Sequence, residues 1–239
     1  MACRRKNKVS AVPLHPKHHL QALLTIQPAK IIMKYVRLFV CATAMAIAAA
    51  SCQNETGDRQ LPILGERDVA ANGDTIYPAI PDFSFVNQDS QIVNNATFAG
   101  KAYVVDFFFI HCPTICPKVK ANGLRIYEKF KNDDGLLMLS HSIDVRNDTV
   151  AALRHHAEKL GIDSKKWHLV TGDHDAIYAI ADDYFSVAKE DPGSPGGFDH
   201  SGRIILVDKN RHVRSFCDGT NAESVDKFMK DIEKLLKEQ

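Results

Sequence analysis

The segment Tyr103-Val104-Val105-Asp106-Phe107-Phe108-Phe109-Ile110 constrains the fold more than any other. Apolar side chains at almost every position, rather than at alternate ones, are what a strand needs when both of its faces are covered. Such strands sit in sheets flanked by helices, so this run predicts an α/β domain. The rest of the chain supplies the covering elements at suitable intervals. Val119, Leu124, Tyr127 and Phe130 recur near helical spacing and predict a helix over 113–131. A strand over 136–143 follows, then a helix over 149–160, with Val150, Leu153, Ala157 and Leu160 on one stripe and Gly161 as its stop. Residues 167–170 read as a strand and 173–184 as a helix. Beyond a loop rich in Gly and Pro (191–197), a strand over 203–208 turns at Lys209-Asn210-Arg211 into another over 212–217. In the last helix, Thr220 with Glu223 three residues on has the form of a capping box. Ahead of all this, 81–86 and 91–93 flank the turn formers Asn87-Gln88-Asp89-Ser90 and read as a hairpin. The order is therefore hairpin, then β-α-β-α-β-α-β-β-α, with right-handed crossovers closed by an antiparallel hairpin and a helix.

The first fifty residues look like an address rather than a fold. From Met33 the chain reads Met-Lys-Tyr-Val-Arg, then an uncharged run from Leu38 to Ala50, then Ser51-Cys52 and polar residues, the three-part layout of a secretory signal. The run is too short to span a bilayer comfortably, since a transmembrane helix needs about 20 residues. Ala49-Ala50-Ser51-Cys52 has the form of a bacterial lipobox, in which the Cys is lipidated and becomes the mature N-terminus. Cys52 is thus the expected lipidation site, and the domain is expected to be extracytoplasmic and tethered to a membrane. Met33 is the better start, so 1–51 is read as leader, 52–76 as polar linker, and 77–239 as the folded domain.

Charge narrows the partners. Eight Lys and Arg, and no Asp or Glu, precede Cys52, which leaves 22 basic and 29 acidic residues beyond it, a formal charge of −7. Nucleic acid calls for a basic face, so no nucleic-acid partner is expected.

The chemistry concentrates at Cys112 and Cys116, directly after the buried strand. Two cysteines at i and i+4 at the entry to a helix lie one turn apart on one face, where their sulfurs can converge on one atom. The positive end of the helix favours thiolate, the form that binds metal. Pro113 suits a first helical turn, and Pro117 is either tolerated there or breaks its start. Spacing alone leaves other readings open: a structural disulfide, or two buried cysteines without chemistry.

Phe109-Ile110-His111-Cys112-Pro113-Thr114-Ile115-Cys116-Pro117 resembles the F-x-x-C-P-x-x-C-P motif of the Sco/SenC family of copper chaperones for cytochrome c oxidase. Ser142 to Thr149 resembles that family's S-I-D-P-x-x-D-T block, Trp167 to Gly172 its W-x-x-L-T-G, and Asp199-His200-Ser201 its D-H-[ST] before a strand. The resemblance implies a thioredoxin-like fold, a central mixed sheet flanked by helices with an N-terminal β-hairpin extension. It also implies copper held by Cys112, Cys116 and His200, and a Cys112–Cys116 disulfide in the oxidised form. Two soft thiolates and an imidazole suit Cu(I), and the imidazole would also help hold Cu(II). The implied partners are cytochrome c oxidase subunit II or another copper acceptor, and an upstream copper donor or thiol reductant.

Other residues take plainer readings. His111 is expected to point away from the site, His155-His156 to form a solvated helix face, and Asp148 to cap the helix after it. Cys217 stands where the family commonly has an aromatic residue, and is read as a small buried hydrophobe. The main alternative function is a metal-independent thiol-disulfide oxidoreductase, although thioredoxins use the shorter C-x-x-C spacing. A copper or redox sensor is a further alternative, for which the sequence offers no output domain. A peroxiredoxin-like peroxidase is disfavoured, because the P-x-x-x-[TS]-x-x-C pattern is missing before Cys112.

Overall fold

The computed structural model describes residues 60–238, together with Met33 and Val36. The expected leader, the expected lipidation site Cys52 and the first part of the linker lie outside the described residues. A compact unit begins at Gln60.

Eleven strands and four α-helices are found among the described residues. They are β1 (Asp68–Val69), β2 (Thr75–Ile76), β3 (Ser84–Asn87), β4 (Ile92–Asn94), β5 (Ala102–Phe108), α1 (Cys116–Phe130), β6 (Leu136–Ser142), α2 (Val150–Leu160), β7 (Trp167–Thr171), α3 (His174–Asp183), β8 (Ala188–Glu190), β9 (Phe198–His200), β10 (Arg203–Val207), β11 (Val213–Asp218) and α4 (Ala222–Glu238). The main sheet runs β11-β10-β5-β6-β7-β3-β4. Its centre, β5-β6-β7, is parallel, and β10, β11, β3 and β4 pair antiparallel around it. This mixed sheet flanked by helices is the thioredoxin-like arrangement, and the β3–β4 hairpin is the expected N-terminal extension.

Every residue of β5 is buried, as the apolar run requires. Alternate side chains reach opposite layers. Tyr103 and Phe107 meet Tyr184, just after α3, with ring centroids 6.5 and 5.9 Å away. Asp106 and Phe108 instead meet Lys120 of α1. In α4, Val225, Phe228, Met229, Ile232 and Leu235 form one buried stripe at helical spacing.

The caps only partly follow the sequence reading. Thr149 caps α2, accepting from the Ala152 N–H, and Gly161 closes it in the left-handed region. At α4 the cap is Asn221, whose side chain accepts from the Ser224 N–H; Thr220 binds the Asp218 carboxylate instead. Folded contacts also begin upstream of the boundary expected at Tyr77. Leu61 and Leu64 pack on the core, and the Leu64 N–H donates to the Val213 carbonyl at 2.9 Å. Arg214 holds this segment, donating to the Leu61 carbonyl while pairing with Asp208 and Glu238 at 2.9 Å each.

Candidate metal centre

Helix α1 starts at Cys116, so Cys112 is not in its first turn. Pro113 keeps the helix from extending back through Cys112, and Pro117, with no N–H to donate to the Pro113 carbonyl, keeps it from starting at Pro113. Pro117 falls within the first turn, where its missing N–H would have no partner anyway. The two cysteines therefore meet through a turn over 110–115 rather than along one helical face. That turn is anchored from below: the buried Asp148 carboxylate accepts from the Ile110 N–H at 3.0 Å and from the Ser142 hydroxyl at 2.6 Å. Asp148 thus does not cap α2, as expected from sequence; Thr149 does.

The third member arrives from β9. The small β8–β9 sheet places His200 opposite Ala188, and its ring meets Phe109 edge-on at 5.4 Å. Gly196 lets this loop close down. It lies at φ +82°, and a Cβ there would come within 2.8 Å of the Phe109 ring.

His200 Nε2 lies 3.0 Å from the Cys116 sulfur and 3.9 Å from that of Cys112. The two sulfurs and one imidazole nitrogen all fall within 4.8 Å of one another, and all three residues are buried. Among the described residues this is the one group of its kind. His111 is exposed and outside it.

The thiols are unequal. Burial alone would raise Cys112, but the backbone N–H groups of Thr114 and Cys116, with the Cys116 thiol and the Thr114 hydroxyl, hold it below the ordinary thiol value. Burial pushes Cys116 well up, only partly opposed by a backbone bond at Phe109. Burial also lowers His200, leaving a neutral imidazole with a lone pair to offer. The arrangement thus holds one thiol that ionises more readily than an ordinary one, one that burial holds protonated, and a neutral nitrogen.

Beside the cysteines lies a mostly apolar pocket of about 340 Å³, lined by Phe108, Cys112, Cys116, Lys120, Leu124 and His156 among others. His156 is half-buried and stacks on Phe108 at 5.8 Å; only His155 has the solvated position expected of both. Lys120 and Asp106 were not singled out from sequence. Their signals were a lone carboxylate inside an apolar strand and a lysine one turn beyond Cys116. Cys217 is buried in β11 opposite Ile204, its thiol pushed up to about 12 by burial, which accords with a packing role.

The SCO1/SenC family model matches residues 74–237. The SCO1 protein homolog of Bacillus subtilis is 25% identical over 161 residues, spanning 66% of this chain and 83% of that one. Among solved structures, a SCO1/SenC family lipoprotein from Bacillus anthracis superposes with a TM-score of 0.60 at 25% identity, covering 66% of this chain and 94% of that one. Arabidopsis thaliana ScoI with copper bound gives a TM-score of 0.57 at 22% identity, over 67% and 100% of the two chains.

Proposed function

The chain belongs to the SCO1/SenC family, and on that premise we propose that it carries copper(I), held by Cys112, Cys116 and His200, to the binuclear copper site of cytochrome c oxidase subunit II. The observation that carries this reading is the convergence of two thiols and a neutral imidazole in one buried cluster. Such soft donors select Cu(I) over the hard cations, which take oxygen ligands. Both thiols give their protons to solvent as the ion binds, so affinity rises with pH. Cys112, the more acidic, offers the first sulfur. Transfer proceeds by exchange of these ligands for the acceptor's cysteines. Ala49-Ala50-Ser51-Cys52 supports a lipid anchor at Cys52 on the extracytoplasmic face of a membrane, in keeping with the lipoprotein relative.

The test is anaerobic transfer from the Cu(I)-loaded chain to the copper-free acceptor domain of subunit II, followed by separation of the two proteins and measurement of the copper held by each. Cys112→Ser, Cys116→Ser and His200→Ala should each abolish stable loading and transfer. A reduced wild-type chain that takes up no Cu(I) against a mild competitor refutes the proposal.

The inequality of the two thiols favours a second reading, in which Cys112 attacks a disulfide in the acceptor and Cys116 resolves the mixed disulfide. The chain is oxidised to Cys112–Cys116 and the acceptor is left with two thiols. Under this reading His200→Ala, which impairs copper loading, retains reductase activity; its loss would exclude the redox role.

A further inference from the structure

Lys120 is buried, lines the pocket that both cysteines line, and donates no hydrogen bond among the described residues. Its ammonium sits 4.0 Å over the Phe108 ring and 5.0 Å from that of Trp167. The ion-pair partner is Asp106, at 3.6 Å. Asp106 is held in turn by the Ser140 hydroxyl, which accepts from the Trp167 indole N–H at 2.8 Å. The carboxylate is thus fixed in the sheet and does not line the pocket, whereas Lys120 does. On α1, Lys120 stands one turn after Cys116, so the two share a face.

A buried ion pair is a poor source of stability, since each charge loses its hydration. This pair is also oriented: Lys120 lines the pocket that both cysteines line, and Asp106 does not. Two thiolates, one neutral imidazole and Cu(I) together carry a charge of −1, whereas the same ligands around Cu(II) are neutral. A buried site gives little solvent screening to that excess charge.

We propose that Lys120 is the built-in counter-charge of the loaded centre, that Asp106 fixes and attenuates it, and that the pair biases the site toward Cu(I) over Cu(II). The inference deepens the copper reading and rests on it. One charge about a helical turn away, at intermediate effective dielectric and partly offset by Asp106, is worth about tenfold in binding.

The experiment is competition for Cu(I) between bicinchoninate and the reduced full chain, with parallel Cu(II) titrations and urea unfolding of each copper-free variant. Lys120→Met, close in size, is expected to weaken Cu(I) binding about tenfold and Cu(II) binding by less. Asp106→Asn leaves the ammonium unopposed and is expected to tighten Cu(I) binding about threefold, despite losing the same ion pair. A merely structural pair would shift both variants in one direction, and that result overturns the inference. If Lys120→Met fails to fold, Asp106→Asn/Lys120→Met is compared with Asp106→Asn alone. Affinity must then fall about tenfold, and equal affinities overturn the inference. A wild-type chain that takes up no Cu(I) overturns the copper reading and this inference with it. Wild-type uptake with no change in the variants overturns this inference only.

Discussion

Replacing Asp148 should loosen the approach to Cys112 without touching either cysteine. One carboxylate oxygen accepts both the Ile110 N–H and the Ser142 hydroxyl, while the other has no partner. Asp148→Ala removes both bonds and leaves a backbone N–H unpaired at the start of the cysteine turn. Each such bond is worth about 1 kcal/mol, and an orphaned buried donor adds about 1 kcal/mol or more, so the loss should be about 2–4 kcal/mol. Asp148→Asn separates hydrogen bonding from charge, because its carbonyl oxygen can accept both bonds while the amide fills the unpartnered position. Burial, opposed by these two bonds, raises the Asp148 pKa above its ordinary 3.8. The folded state therefore holds the proton more tightly than the unfolded chain, and the wild type loses stability as pH rises through that range. At neutral pH Asp148→Asn should match or exceed the wild type, with the gap closing as pH falls below 3.8. Urea unfolding of the reduced, copper-free chain at both pH values measures this. Asp148→Ala as stable as the wild type, or Asp148→Asn as damaged as Asp148→Ala, would refute the reasoning.

Three further outcomes follow from the same structure. His141 is fully buried among Phe85, Phe107 and Tyr184, and burial lowers its pKa to about 3, against 6.5 in the ordinary state. The unfolded chain therefore takes up a proton that the folded chain refuses, and stability drains as pH falls from 6.5 toward 3. In urea unfolding, His141→Phe should lose about 2 kcal/mol less than the wild type between neutrality and about pH 5. Gly196→Ala combines a left-handed backbone with a Cβ pressed on Phe109. It should cost about 1–2 kcal/mol and weaken Cu(I) retention through His200; thermal melts and competition titrations report each effect. Arg214→Ala strips Asp208 and Glu238 of their buried partner and frees Leu61. A loss of about 3–5 kcal/mol in urea unfolding is expected, and an unchanged midpoint would deny the 60–66 segment its role in the fold.

The parts legible in the sequence were those whose side chains carry the signal. β5, β6 and β7 are buried strands and read as apolar runs. Gly161 is a backbone-capping residue at the end of an amphipathic stripe, whereas the cap at its start fell to Thr149 rather than to the expected Asp148. What escaped was held by other forces. Residues 60–66 attach through backbone bonds such as Leu64 to Val213 and through the side chains of Leu61 and Leu64, which form no periodic pattern that would mark an element. β8 and β9 are short and partly exposed, so neither alternation nor apolarity marks the strand that delivers His200. The cysteine helix starts late because Pro117 has no N–H to bond the Pro113 carbonyl, where spacing alone suggested a continuous turn. Asp106 and Lys120 were legible as charges but not as a pair, since their proximity arises only when α1 packs on β5.

The most direct test of copper held by this cluster is X-ray absorption on the reduced chain titrated with Cu(I). One copper per chain with two sulfur ligands and one nitrogen ligand, and no stable copper on His200→Ala, is the predicted result. Two sulfurs without the nitrogen, or a spectrum indifferent to Cys112→Ser, would contradict it.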